Sequence, residues 1–165
     1  MIKTIRIPED RVKVLKSCLK ILKSKTKTDI SIEENLIKIS GEPLDIWRTN
    51  NIIKAIGRGF SPVNSFKLLD EDNSLEIIEL KKYLKTQKSI KRIKGRIIGK
   101  EGKTRKIIED STGSVVSVYG NTVSIISSYE EIHKATEAIM MLINGSSHRK
   151  VYKYLERREF NEKGR

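Results

Sequence analysis

The feature that most constrains this chain is an internal repeat at an offset of 86 residues, the separation of Gly59 from Gly145. In that register Ser61 falls on Ser147, Phe66 on Tyr152 and Leu69 on Leu155. The match continues backwards without a gap. Ile52 and Ile53 meet Ala138 and Ile139, Ile37 and Ile39 meet Val123 and Ile125, and Ile30 and Ile32 meet Val116 and Val118. One amphipathic helix produces such matches by chance, but these run through helical and alternating patterns in the same order. Two copies of one small unit are therefore expected.

Periodicity supplies the elements. In the second copy Leu75 to Leu80 reads as a strand, Ser89 to Ile98 and Lys103 to Asp110 as helices, and Ser114 to Tyr119 and Thr122 to Ile126 as strands. Gly120-Asn121 is a hairpin-type turn pair between those last two. A helix from about Glu130 to Asn144 follows, with Gly145 as its stop. The first copy reads as a strand from Ile2 to Ile7, a helix from Pro8 to about Lys23, strands at Asp29 to Ile32 and Leu36 to Ser40, and a helix from Pro43 to Ile56. Ser61-Pro62 and Ser146-Ser147 predict one extra helix after each copy. The acidic stretch Asp70 to Ser74 marks the boundary, giving domains of residues 1–72 and 73–165 and an α+β class.

Charge narrows the partners. Lys+Arg 34 against Asp+Glu 21 leaves +13, an electrostatic signature of a polyanion binder. The longest apolar run, Ala138 to Ile143, is far short of the roughly 20 residues a membrane span needs. With a polar N-terminal start, the expectation is a soluble cytoplasmic protein. A single cysteine, Cys18, excludes an internal disulfide, and His133 and His148 lack metal-ligand spacing, so neither metal nor cofactor is expected.

The most specific local feature is I-I-G-K-E-G-K-T from Ile97 to Thr104. Gly99 and Gly102 permit a tight turn and close backbone approach by a ligand. Lys100 and Lys103 add charge, and the amides opening the next helix face an anion. From Lys81 to Lys106 there are twelve Lys or Arg and one acid, Glu101, too unbalanced for a face of paired charges. The rival reading is a nucleotide-binding enzyme, because Gly102-Lys103-Thr104 resembles the end of a Walker loop. That motif requires glycine where Ile97 stands, and a strand where the periodicity is helical. A second rival is a protein-only scaffold with an incidental basic surface.

The run Gly95 to Glu109, G-R-I-I-G-K-E-G-K-T-R-K-I-I-E, resembles the signature of type I KH domains. Those modules bind single-stranded nucleic acid and clamp four nucleotides with a G-x-x-G loop. With Ile53 to Pro62, Val116 to Val123 and Val151 to Arg158, nearly the whole chain is similar to the archaeal partner-of-NOB family. The resemblance implies two type I KH-like modules (β-α-α-β-β-α) in tandem, each followed by an extra helix. It further implies a non-enzymatic assembly factor binding small-subunit ribosomal RNA near its 3′ end, in rRNA processing. Its implied partners are the NOB endonuclease and the alpha subunit of translation initiation factor two.

On this reading Arg92, Lys94, Arg96, Lys100, Lys103 and Arg105 neutralise phosphates, while the amides from Gly99 through Glu101 and Gly102 to Lys103 fix backbone register. Ile97, Ile98, Ile107, Val116 and Val118 line a narrow base groove. The first copy departs from the pattern. Gly99 to Gly102 fall on Lys13, Val14, Leu15 and Lys16, no glycine precedes Ser40, and a continuous helix through Val12, Leu15, Leu19 and Leu22 is expected. That favours a packing or protein-docking role for residues 1–72. Cys18 reads as a buried thiol, Trp47 as a packing residue or a partner anchor, and His133 as a surface residue. Tyr152 reads as packed, with Arg149, Lys150, Lys153, Arg157 and Arg158 making the basic side of the last helix.

Overall fold

The computed structural model describes the backbone of residues 1–163 and the side chains of residues 1–156. The chain divides into two compact units, Met1–Leu75 and Glu76–Arg165.

In the first unit, strand β1 (Ile2–Arg6) leads into helix α1 (Glu9–Thr26), strands β2 (Asp29–Glu33) and β3 (Leu36–Ser40), and helix α2 (Pro43–Gly57). A one-turn helix, α3 (Pro62–Ser65), and a 3₁₀ turn follow. Val12, Leu15, Cys18, Leu22 and Thr26 repeat at three and four residues along α1, so one face of an unbroken helix is buried. It runs a turn past Lys23 because Thr26 is still on that face, and ends where Lys27 adopts φ 57° and its amide returns to the Lys23 carbonyl. The strands pair antiparallel in the order β1-β3-β2. Arg11 donates to the carbonyls of Ile56 and Phe60, both at 2.7 Å, placing a cation at the end of α2 where the orphan carbonyls lie.

Strand β4 (Asn73–Glu79) leads across the boundary into the second unit, which continues with α4 (Gln87–Ile98), α5 (Lys103–Thr112), β5 (Val115–Tyr119), β6 (Thr122–Ser128), α6 (Ile132–Ile143) and α7 (His148–Lys163). Its sheet order is β4-β6-β5. Three-residue 3₁₀ turns follow β4 and separate α4 from α5. Ile90, Ile93 and Ile97 of α4, Ile108 of α5, Ala138, Ile139 and Leu142 of α6, and Val151 and Leu155 of α7 pack over Val123 and Ile125 of the central strand.

The two units share a hairpin but not a helix count. Glu34 and Gly120 occupy the same turn position with φ near 55°, and each following asparagine accepts an amide from the end of the unit's first strand. Ile7 donates to Asn35 at 3.2 Å, and Leu80 donates to Asn121 at 2.9 Å. The asparagines are 86 residues apart, whereas Ile7 and Leu80 are 73 apart, so the first unit has thirteen fewer residues between strand and hairpin. One helix therefore stands where the second unit has two. The expectation of β-α-α-β-β-α in both copies is corrected to β-α-β-β-α for the first. The gapless register failed here because a single amphipathic face satisfies it whether the upstream helix exists or not.

Candidate nucleic-acid interface

Helix α4 opens on a capping box, in which Ser89 donates its amide to the Thr86 hydroxyl at 3.0 Å. Burying Ile90, Ile93 and Ile97 leaves Lys88, Lys91, Arg92 and Gly95 exposed on the opposite side. The helix stops because Gly99 adopts φ 77°, ψ 174°, its amide returning to the Gly95 carbonyl at 2.9 Å. A Cβ at Gly99 would lie 2.7 Å from the amide nitrogen of Thr104 and closer still to its hydroxyl, so glycine is required twice over.

Past that point Glu101 (φ 57°) and Gly102 (φ 76°) are both left-handed, and Gly102 returns its amide to the Gly99 carbonyl. Three positive-φ residues in four turn the backbone sharply outward. A Cβ on Gly102 would meet no atom within 4 Å, so the molecule itself makes no steric demand for glycine there beyond its backbone angle. Lys100 and Glu101 stand exposed at the tip, and Lys103, Arg105 and Lys106 are exposed in the first turn of α5. A groove of about 590 Å³ runs beside the loop, lined by Lys100, Glu101, Lys103, Lys106, Ile107 and Asp110.

Beyond α5, β5 is an edge strand of its sheet. The Val116 amide donates to a Glu109 carboxylate oxygen at 2.9 Å and so faces away from β6. Two residues on, the Val118 backbone shares that outer edge.

The loop has a backing. Thr104, 2% exposed beneath Gly99, shares a hydrogen bond with the Tyr152 hydroxyl at 3.0 Å. His148 stacks on Tyr152 with ring centroids 6.1 Å apart and donates from Nε2 to the Arg96 carbonyl at 2.9 Å. Arg96 in turn donates to the carbonyls of Leu142 (3.3 Å) and Ser146 (2.6 Å). Helix α7 is thereby fastened to both helices that carry the loop.

These contacts sort the expected site residues. Lys100, Glu101, Lys103 and Ile107 come together in one groove with Gly99 and Gly102 at its end, while Arg92 and Arg105 are exposed and Lys94 and Ile98 half-buried. Arg96, expected among the phosphate ligands, directs two of its guanidinium donors to carbonyls 46 and 50 residues away and so acts as a structural staple. Ile97 and Val116, expected to line the groove, belong instead to the packed core at 0% and 6% exposure, leaving Ile98, Ile107 and Val118, all three half-buried. Lys106, Asp110, Gly95 and the Thr104–Tyr152 pair were missed. Only Gly95, a glycine inside a helical pattern, carried a local signal. The Walker alternative fails on geometry, because α4 and not a strand precedes the loop.

Elsewhere, Trp47 is 55% exposed and Cys18 is buried, which pushes its thiol pKa up. No group of three or more His, Cys, Asp or Glu side chains is placed to hold a metal among the described residues, nor is any helix long and apolar enough to cross a membrane. The side chains of Arg157 and Arg158 lie outside the described residues.

Comparison with known proteins agrees with this geometry. Residues 74–160 match the profile of the second KH domain of PNO1, described as a eukaryotic type KH-domain (KH-domain type I). A KH domain-containing protein of Methanocaldococcus jannaschii is 42% identical over 166 residues, covering 94% of this chain and 73% of that protein. The pre-rRNA-processing protein PNO1 of Saccharomyces cerevisiae is 34% identical over 118 residues, covering 70% of this chain but only 43% of the yeast protein. A chain in the crystal structure of an a/eIF2alpha–aDim2p–rRNA complex from Pyrococcus horikoshii superposes with a TM-score of 0.91 at 41% identity, covering 98% of this chain and 95% of that one. With the G-x-x-G loop at the junction of its two helices and 42% identity to an archaeal relative over 94% of its own length, the chain belongs to the PNO1 family of type I KH-domain proteins.

Proposed function

We propose that this chain binds single-stranded RNA through the Gly99–Gly102 loop and acts, without catalysis of its own, in assembly of the small ribosomal subunit. The observation that carries the reading is the loop's backbone, three positive-φ residues in four within a stretch with twelve cations and one acid. Such a turn lets a phosphodiester backbone approach closely, with Lys100, Lys103 and Arg105 as counterions. In the groove beside it, Ile107 offers an apolar surface to a base. The Val118 edge and the Asp110 carboxylate offer hydrogen-bond partners to base edges.

The relatives give the context. A yeast relative is named for pre-rRNA processing, and a Pyrococcus relative was crystallised with rRNA and a/eIF2alpha. By that likeness the ligand is small-subunit rRNA near its 3′ end, and the alpha subunit of initiation factor two and the NOB endonuclease are partners. Residues 73–165 form the binding KH module, and residues 1–72 a KH-derived module without a clamp.

The deciding experiment replaces Lys100 and Glu101 together with aspartate. Both side chains are exposed, and aspartate tolerates the left-handed angle at residue 101 at least as well as glutamate, so the fold should survive. Repulsion at the loop tip should weaken single-stranded RNA binding by about tenfold or more, with melting unchanged. Unaltered affinity in a folded variant would remove the basis of the assignment.

A further inference from the structure

A second cluster of cations lies at the far end of α4 from the glycine loop, about 18 Å along the helix for its twelve residues. Lys81, Lys82, Lys85 and Lys88 are all exposed there. Lys82 pairs with Glu79 at 3.4 Å, and it is the only one of the four with a salt bridge among the described residues. Among them stands Tyr83, 51% exposed. One exposed tyrosine means little by itself. This one is on a rigid mount: the amides of Tyr83 and Leu84 both return to the Leu80 carbonyl, at 3.0 and 2.9 Å, and Leu80 is wholly buried. Two residues later the Thr86–Ser89 capping box fixes the start of α4. The exposed row Lys88, Lys91, Arg92 and Gly95 connects this end of the helix to the loop without an acid.

We propose that Tyr83 with Lys81, Lys85 and Lys88 forms a second RNA subsite, where one base of the bound strand stacks on the tyrosine ring and its flanking phosphates meet the lysines. The inference rests on the single-strand reading of the glycine loop and extends it. The strand held there continues along the basic face of α4 and is gripped again at the helix N-terminus. An aromatic ring amid cations is the pairing that single strands use, since every base offers a π-face and every linkage a charge. Because stacking tolerates any base, the subsite adds affinity and length rather than sequence preference. The aliphatic groove at the loop has no aromatic lining to supply such stacking.

The test uses the full chain and two random-sequence RNA pools, tetranucleotides and strands of about twelve nucleotides, the shorter matching the four nucleotides a KH loop clamps. Tyr83→Ala should weaken the longer strand about five- to tenfold and the tetranucleotide less than about twofold. Tyr83→Phe, which keeps the ring, should bind both within about twofold of the parent, and Lys85→Ala with Lys88→Ala should reproduce the length-selective loss. The Lys100 and Glu101 double aspartate variant must weaken both lengths, since both engage the loop. If it does and Tyr83→Ala leaves the longer strand untouched, the second subsite is wrong while the loop assignment stands. The subsite is equally refuted if Tyr83→Ala weakens both lengths alike, or if Tyr83→Phe loses as much as alanine. Retained RNA affinity in the alanine variant with loss of a protein partner would make this end of α4 a protein contact instead.

Discussion

At the level of single residues, the three glycines around the loop differ in what the structure demands of them. Gly99 is held by both its backbone angle and Thr104, so Gly99→Ala should destabilise the protein and abolish the loop geometry together, seen as a lowered melting temperature with lost RNA binding. Gly102 has open space, and only its left-handed φ opposes a side chain, at about 1–2 kcal/mol. Gly95 has neither constraint. It sits inside α4, exposed, with nothing within 4 Å of where a methyl group would stand, and costs the helix about 1 kcal/mol relative to alanine. Gly95→Ala should therefore raise the melting temperature by about 2–4 °C. If RNA passes close over this face, the same variant should lose RNA affinity several-fold. A variant both more stable and equally tight would show that nothing approaches Gly95.

Among the elements, α7 is what distinguishes the observed site from the one expected. The loop was legible because a demand for positive φ is local and glycine marks it. The backing was not, because Arg96 reaches carbonyls 46 and 50 residues away and Thr104 meets a tyrosine 48 residues away. Nothing in a basic stretch says which cation is spent on the protein's own carbonyls. The same limit holds in the first unit, where the single helix α1 satisfies the apolar register although it stands alone where the second unit has two helices. If α7 sets the loop, Tyr152→Phe should weaken RNA binding about three- to tenfold through the unpaired Thr104 hydroxyl. Thr104→Val combined with Tyr152→Phe should cost less than the two single effects added. Amide resonances of Gly99 and Gly102 should shift in Tyr152→Phe, which a purely global loss of stability would not produce below the melting range.

For the molecule as a whole, both units are basic but differ in what their cations can do. Contact with about four or five phosphates predicts a slope near −3 for log affinity against log salt on single-stranded RNA. Lys100→Ala with Lys103→Ala should reduce the magnitude of that slope by about 1.4 and cost most of the affinity. Lys13→Ala with Lys16→Ala, on the unbroken α1, should weaken a preferred and a scrambled RNA slightly and alike. Should the second pair erase the preference instead, the first unit reads sequence and the division between the units is wrong.

The staple between Arg96 and residues 142, 146 and 148 also has a consequence in time. The carbonyl of Ser146 is made fifty residues after Arg96. At a synthesis rate of about 5–20 residues per second the loop exists without its backing for about 3–10 s. During that interval the glycine turn can be present while α7 is not yet there to hold Thr104 and Arg96. A nascent chain arrested before residue 142 should accordingly bind RNA more weakly than one extended past Tyr152, so that maturation of the RNA grip is tied to completion of the last helix rather than to the appearance of the loop itself.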